Sequence, residues 1–192
     1  MTSLAGLRAL RAELKALADP VKAKGVAGFF KSGPGQYGEG DRFLGVTVPS
    51  QRRIARKYAD LTLDELGTLL GSPLHEERLT SLIILVGQYD RGDAAEKNAR
   101  FEFYLAHIAG VNNWDLVDSS AAQIVGAHLL TRDRKLLRRL VASDDLWERR
   151  VAIVSTYAFI RAGEHADTFA IAELLLGDEH DLIHKAVGWM LR

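Results

Sequence analysis

The segment Asn112-Asn113-Trp114-Asp115-Leu116-Val117-Asp118 gathers two amides, a tryptophan and two carboxylates within one short stretch. Either asparagine can cap a helix start, which puts Trp114 in the first turn. Asp115 in that turn is explained by the helix dipole. Asp118 lies a turn further in, where the dipole gives no reason for it, and it shares a face with Trp114 four residues back. An aromatic face beside a carboxylate is a platform for a sugar or a cation. The plainer alternative is a core tryptophan with two solvated aspartates. In Trp147-Glu148-Arg149-Arg150 the two arginines point about 100° apart on a helix. One of them can turn to the Asp118 surface, there to clamp a phosphate or to pair with Asp118 itself. The other is solvent-facing or paired with Asp144 or Asp145. Trp189 lies four residues after Lys185 on a final helical stretch, where it is either core or a stacking surface for a nucleotide.

Other constellations carry less. Gly33-Pro34-Gly35-Gln36-Tyr37-Gly38-Glu39-Gly40-Asp41 lacks the Gly-Lys-Ser/Thr ending of a phosphate loop and follows no strand. His180 and His184 are four apart but have no third ligand in view and stand beside Lys185, so they read as solvated histidines. No Gly-x-Ser-x-Gly elbow and no His-Glu-x-x-His is present.

The elements that must hold these residues are helical. Leu4, Leu7, Leu10, Leu14 and Leu17 form a stripe at spacings of three and four. Thr62-Leu63-Asp64-Glu65 is a capping-box pattern for a helix through Leu70. Further stripes run through Leu79, Leu82, Ile83 and Val86, through Phe101, Tyr104, Leu105 and Ile108, and through Val151, Val154 and Phe159. The one long non-helical segment is Ser32–Pro49, and no stretch alternates as a strand would. His75–Leu82, Leu116–Ala122, Trp147–Val154 and Ile183–Trp189 fall into a common register at intervals of roughly 32 to 40 residues, those of paired-helix repeats. That register sets Arg78, Asp118, Arg150 and Lys185 on equivalent positions and predicts that they follow one face of a solenoid.

Composition narrows the classes. Hydrophobic residues make up 47% and charged residues 26% of 192, an ordinary globular mixture. Absence of cysteine excludes disulfides, thiolate metal sites and a cysteine nucleophile. Lys+Arg and Asp+Glu balance at 25 each, so any basic surface must be local. Such local runs, Gln51–Lys57 and Arg132–Arg139, are otherwise solvated helix faces. Arg8, Arg11, Glu13 and Lys15 interrupt the N-terminal leucines, so no signal core is expected. The longest apolar run, Leu82–Gly87, is too short to span a bilayer.

Four motifs in order resemble those of AlkD-like DNA alkylation repair proteins, the HEAT-like repeat alkylpurine glycosylase family. They are Phe29-Phe30-Lys31 with Gly33–Asp41 and Phe43-Leu44-Gly45-Val46-x-Val48-Pro49; Asn112–Asp118; Leu146–Arg150; and Asp181–Arg192. The resemblance covers the chain from about Asp19 onward. It implies an all-α, ARM-type solenoid over residues 1–192, whose concave face holds duplex DNA and which hydrolyses the N-glycosidic bond of N3- or N7-alkylated purines without base flipping. It implies catalytic roles for Trp114, Asp118 and Trp189, and DNA contacts by Arg150 and Phe29; the common repeat register adds Lys185 and Arg78, and the neighbouring Arg149, as expected DNA contacts. At Phe29 the characterised relative carries tyrosine. The expectation is a cytoplasmic monomer acting on alkylated DNA with no metal, no cofactor and no membrane contact. Non-catalytic DNA binding and a protein-interaction scaffold are the alternatives. Relatives continue through further helices beyond the position of Arg192, so capping helices are expected to be missing here.

Overall fold

The computed structural model describes residues 3–192, with side chains from Ala5 onward. The Leu4 side chain, first in the N-terminal stripe, lies outside the described residues. Among the described residues thirteen α-helical segments occur in chain order: α1 Ser3–Ala16, α2 Pro20–Phe29, α3 Val48–Lys57, α4 Leu63–Leu70, α5 His75–Arg91, α6 Ala94–Ala106, α7 Trp114–Asp118, α8 Ala127–Leu129, α9 Lys135–Val141, α10 Leu146–Ser155, α11 Tyr157–Arg161, α12 Ala166–Leu174 and α13 Asp181–Met190. A 3₁₀ turn, Ile108–Gly110, precedes α7, and a π turn, Ala122–Gly126, joins α7 to α8. Among the described residues the only strand-like feature is an isolated bridge between Arg42 and Leu74.

The local signals in the sequence explain the starts. Thr62 and Glu65 form the reciprocal capping box that opens α4. Asn113 caps α7 by accepting from Trp114 N–H at 2.9 Å. Asp145 does the same for α10 through Trp147 and Glu148. In the α1 stripe, Leu7, Leu10 and Leu14 are buried, whereas Leu17 is exposed at the helix end.

α5, α7 with its π turn, α10 and α13 form an inner layer packed in chain order. α4 and α6 lie against α5, α9 against α10, and α12 against α9, α10 and α11. This all-helical arrangement agrees with the repeat register, because His75, Trp114, Leu146 and Asp181 each open an inner helix. One hydrophobic cluster runs from Leu7 through Tyr104 and Phe159 to Met190, as expected when each helix pair buries its apolar face on its neighbours.

The glycine-rich segment is fastened to the start of α5. Glu76, buried in the first turn, accepts from Leu44, Gly45 and Val46 N–H at 2.9, 2.8 and 3.2 Å. Arg42 N–H donates to Pro73 O and Arg42 O accepts from His75 N–H, at 3.0 and 2.9 Å. Gly45 is needed there: its φ is +80°, and a Cβ would sit 2.3 Å from Asp19 O. At Gly38 a Cβ would meet Phe30 O at 2.4 Å, so only glycine lets the loop lie down on α2. Glu76→Gln leaves one oxygen for three amides. Equilibrium urea unfolding should show a loss of about 1–3 kcal/mol, the cost of a buried donor left unmade.

Candidate nucleic-acid interface and carboxylate site

The fastened loop delivers Asp41 to the point where α5 meets α7. Its carboxylate, 4% exposed, accepts from Arg78 at 2.6 Å, His75 Nδ1 at 3.1 Å and Asn113 Nδ2 at 3.1 Å. The other imidazole nitrogen, His75 Nε2, lies 2.8 Å from Asp115 Oδ2. Both ring nitrogens face carboxylates, so both must donate, which is the imidazolium form. Burial pulls the His75 pKa down, but the hydrogen bonds to Asp115 and Asp41 outweigh it and carry it up to about 9. Burial likewise pushes Asp41 up, and its contacts with His75, Arg78 and Asn113 more than reverse that, leaving it below the usual carboxylate range.

Aromatic rings continue the assembly outward. Phe43 and Phe30 lie over His75 at centroid distances of 5.0 and 4.7 Å. Phe30 stacks on Trp114 at 5.1 Å and 19°, and exposed Phe29 meets Trp114 edge-on at 5.8 Å. Trp114 is thus neither a fully buried core residue nor an isolated surface ring. It is half-buried, seated on Phe30, which in turn lies against the His75 imidazolium.

One turn along α7, both Asp118 oxygens accept from Arg150, Nε at 2.9 Å and Nη2 at 2.8 Å. Arg150 also donates to Leu182 O on α13, and its side chain is only 6% exposed against 22% for Asp118. Of the two roles open to Arg150, the ion pair is the one the geometry realises. Burial pushes the Asp118 pKa up, Arg150 pulls it back and nearby Asp115 adds a further upward push; the net direction is upward.

The predicted row of cations takes a different form. Arg78 does not face a groove: it is buried, donating to Asp41 and to Ser72 O at 2.8 Å. Ties run instead from one inner helix to the next: His75 of α5 to Asp115 of α7, Asp118 of α7 to Arg150 of α10, and Arg150 to Leu182 O of α13. Asp115 is therefore more than a dipole residue. Arg149 pairs with Asp178 at 2.7 Å and donates to Ser143 O and Asp144 O, so neither the Asp144 nor the Asp145 carboxylate is its partner. Lys185 is exposed and reaches Asp181 at 2.6 Å. Trp189 is 45% exposed, stacked on Tyr157 at 6.0 Å, and so is not core.

Asp41, His75, Phe30 and Phe43 were not singled out from the sequence. The available signals were His75 heading the first aligned repeat segment and Asp41 closing the glycine-rich stretch. Their meeting depends on a loop path that spacing does not encode. Among the described residues no group of three or more histidine and carboxylate side chains is placed to hold a metal ion. No described helix is long and apolar enough to cross a membrane.

Fold and site together define a helical-repeat protein that presents a carboxylate and a stacked aromatic on one inner surface. The chain belongs to the DNA alkylation repair enzyme family, whose model matches residues 10–192. Its fold is similar to a solved structure described as a predicted DNA alkylation repair enzyme from Enterococcus faecalis. The TM-score is 0.65 over 91% of this chain and 81% of that one, at 16% identity. No curated protein matches the chain.

Proposed function

We infer that the protein is a monofunctional glycosylase that releases cationic N3- or N7-alkylated purines from duplex DNA by hydrolysis. The observation that carries this reading is the partly exposed Asp118 carboxylate, fixed by Arg150 and one helical turn from Trp114. An alkylated purine already bears positive charge, so it leaves with the glycosidic electron pair as a neutral base and needs little help from an acid. The deficit left on the sugar is what the site must meet. Fixed negative charge in a partly desolvated setting favours an oxocarbenium more than the neutral sugar it forms from, which is the differential stabilisation that lowers a barrier. Water then closes the C1′–O bond and loses its proton, a step for which Asp118 is the nearby acceptor.

In this reading Trp114, seated on Phe30 with Phe29 at its edge, borders the sugar, and Trp189 with Tyr157 lies further along the surface as a second aromatic contact. Arg150 orients Asp118 in place of gripping DNA, and Arg78 supports the site from the interior. Of the four cations named from the sequence, Lys185 is left exposed and Arg149, held by Asp178, partly so. A non-catalytic DNA-binding role is the second reading, favoured by Arg150 occupying both Asp118 oxygens.

The test is incubation with methylated duplex DNA and chromatography of the freed bases. Release of 7-methylguanine or 3-methyladenine, with strand breaks only after alkali, is the expected result. Retention of the DNA with no base freed sinks the glycosylase in favour of the second reading.

A further inference from the structure

A cleft of about 290 Å³ opens between the glycine-rich loop and the start of α13, lined by Lys31, Gln36, Tyr37, His180, Asp181, Leu182 and Lys185. It adjoins the carboxylate site, because Leu182, on its wall, is also the residue whose carbonyl accepts from Arg150. We propose that this cleft seats one phosphate of the DNA backbone, held by Lys31 and Lys185 with Gln36, Tyr37 and His180 as neutral donors. The proposal rests on the DNA reading above and names a subsite that the carboxylate site does not include.

Three observations converge on it. The first is Lys31, the only non-glycine residue with positive φ among the described residues, at +49°. It ends α2 in a Schellman turn, with Lys31 N–H to Gly28 O at 3.2 Å and Ser32 N–H to Ala27 O at 3.1 Å. Glycine is the usual occupant of that position because a Cβ is strained there. A lysine at a place that favours glycine is a side chain kept at the expense of backbone comfort, and it stands at the cleft.

The second is the donor set. His180 Nδ1 accepts from Leu182 N–H at 3.2 Å, which fixes the tautomer and leaves the Nε2–H as donor. Burial lowers the pKa of that imidazole, in the same direction as an Nδ1 that accepts. Gln36 accepts from Gly33 N–H through Oε1 at 3.1 Å, so Nε2 is its donor end. Tyr37 stands edge-on to both Trp147 and His180, at 5.9 and 6.4 Å, which ties the loop wall to the repeat wall.

The third is the charge balance. Two lysines face one carboxylate, Asp181, whose pKa is lowered first by its hydrogen bond from Lys185 and also by the charges of Lys185 and Lys31. The Lys185–Asp181 pair is exposed, 65% and 74%, and opens at little cost. A phosphodiester, with one charge and two free oxygens, fits a site with one net positive charge and several donors.

The experiment uses unmodified duplex DNA, so that base release plays no part. Binding is measured against salt for the wild type, Lys31→Gly and Lys185→Gln, with single backbone linkages replaced one at a time by uncharged methylphosphonate. In the wild type one linkage should stand out, its replacement weakening binding about tenfold. In either variant that penalty should shrink towards none, and the slope of log K on log salt should flatten by about 1. Lys31→Gly should melt at or above the wild-type temperature, since it relieves the turn, which separates lost binding from lost folding. Variants that bind with wild-type affinity, slope and linkage sensitivity overturn the seat. So does a methylphosphonate penalty that persists unchanged in them, or a wild type that binds no duplex. A wild type that shows the seat but frees no base leaves it standing while the glycosylase chemistry falls.

Discussion

Asp118→Asn is expected to reduce release of 7-methylguanine by roughly 10²–10³-fold, the scale on which one preorganised charge contributes to a transition state. The substitution is nearly isosteric and removes the charge that offsets the oxocarbenium. It keeps an oxygen to accept from Arg150, but the second guanidinium bond, now 2.8–2.9 Å from an ionised oxygen, meets an amide instead. A stability loss of about 1–3 kcal/mol accompanies that mismatch, so rates are to be compared well below the melting temperature. Affinity for unmodified duplex should hold or rise, because a negative charge facing a polyanion has gone. The pH profile gives a second check. Burial moves Asp118 upward and Arg150 only partly restores it. The wild-type rate should therefore fall on acidification above the ordinary aspartate value of about 3.9, and that limb should be missing in the variant. Wild-type release by the Asn protein means that Asp118 does not serve the reaction.

The residues that were legible in the sequence are those whose roles are local. The capping box at Thr62 and Glu65, the cap at Asn113 and the placing of Trp114 and Asp118 four apart on one helix depend on local spacing, and each is present. The repeat register located the starts of the inner helices, yet it misjudged what Arg78 does there. Register fixes which way a position points, but burial depends on what else arrives. Arg78 turned inward because the loop brought Asp41 to it across 37 residues of sequence. The same long closure made His75 a buried imidazolium, and no periodicity in α5 announces it. The sequence leaves Arg150 between two partners for a similar reason, and the structure has it on both Asp118 oxygens.

His75 should make folding stability fall with rising pH between about 6.5 and 9. A histidine whose folded pKa lies above its unfolded value stabilises fully below the unfolded pKa, and that contribution is lost as pH rises through the folded one. Raising the imidazole from 6.5 to about 9 corresponds to roughly 3 kcal/mol at 1.36 kcal/mol per pH unit. In a chain of this size that is on the order of 10 °C in melting temperature. Neither His128 nor His180 produces this trend: burial lowers both, so they penalise the fold on acidification below 6.5. His75→Gln should remove the slope and, at pH 6, cost about the same 3 kcal/mol, because Asp41 and Asp115 then stay buried without their cation. Adding Asp115→Asn should recover part of that loss, since it withdraws the charge whose other oxygen, Oδ1, already has no partner. Thermal melts of the three proteins from pH 6 to pH 10 decide the matter. A slope that survives in His75→Gln places the titrating group elsewhere. Because Phe30 bridges His75 to Trp114, the same variant should also loosen the Trp114 ring, read as a change in its fluorescence below the melting transition. A Trp114 signal indifferent to His75 would separate the buried ion cluster from the surface it is argued to support.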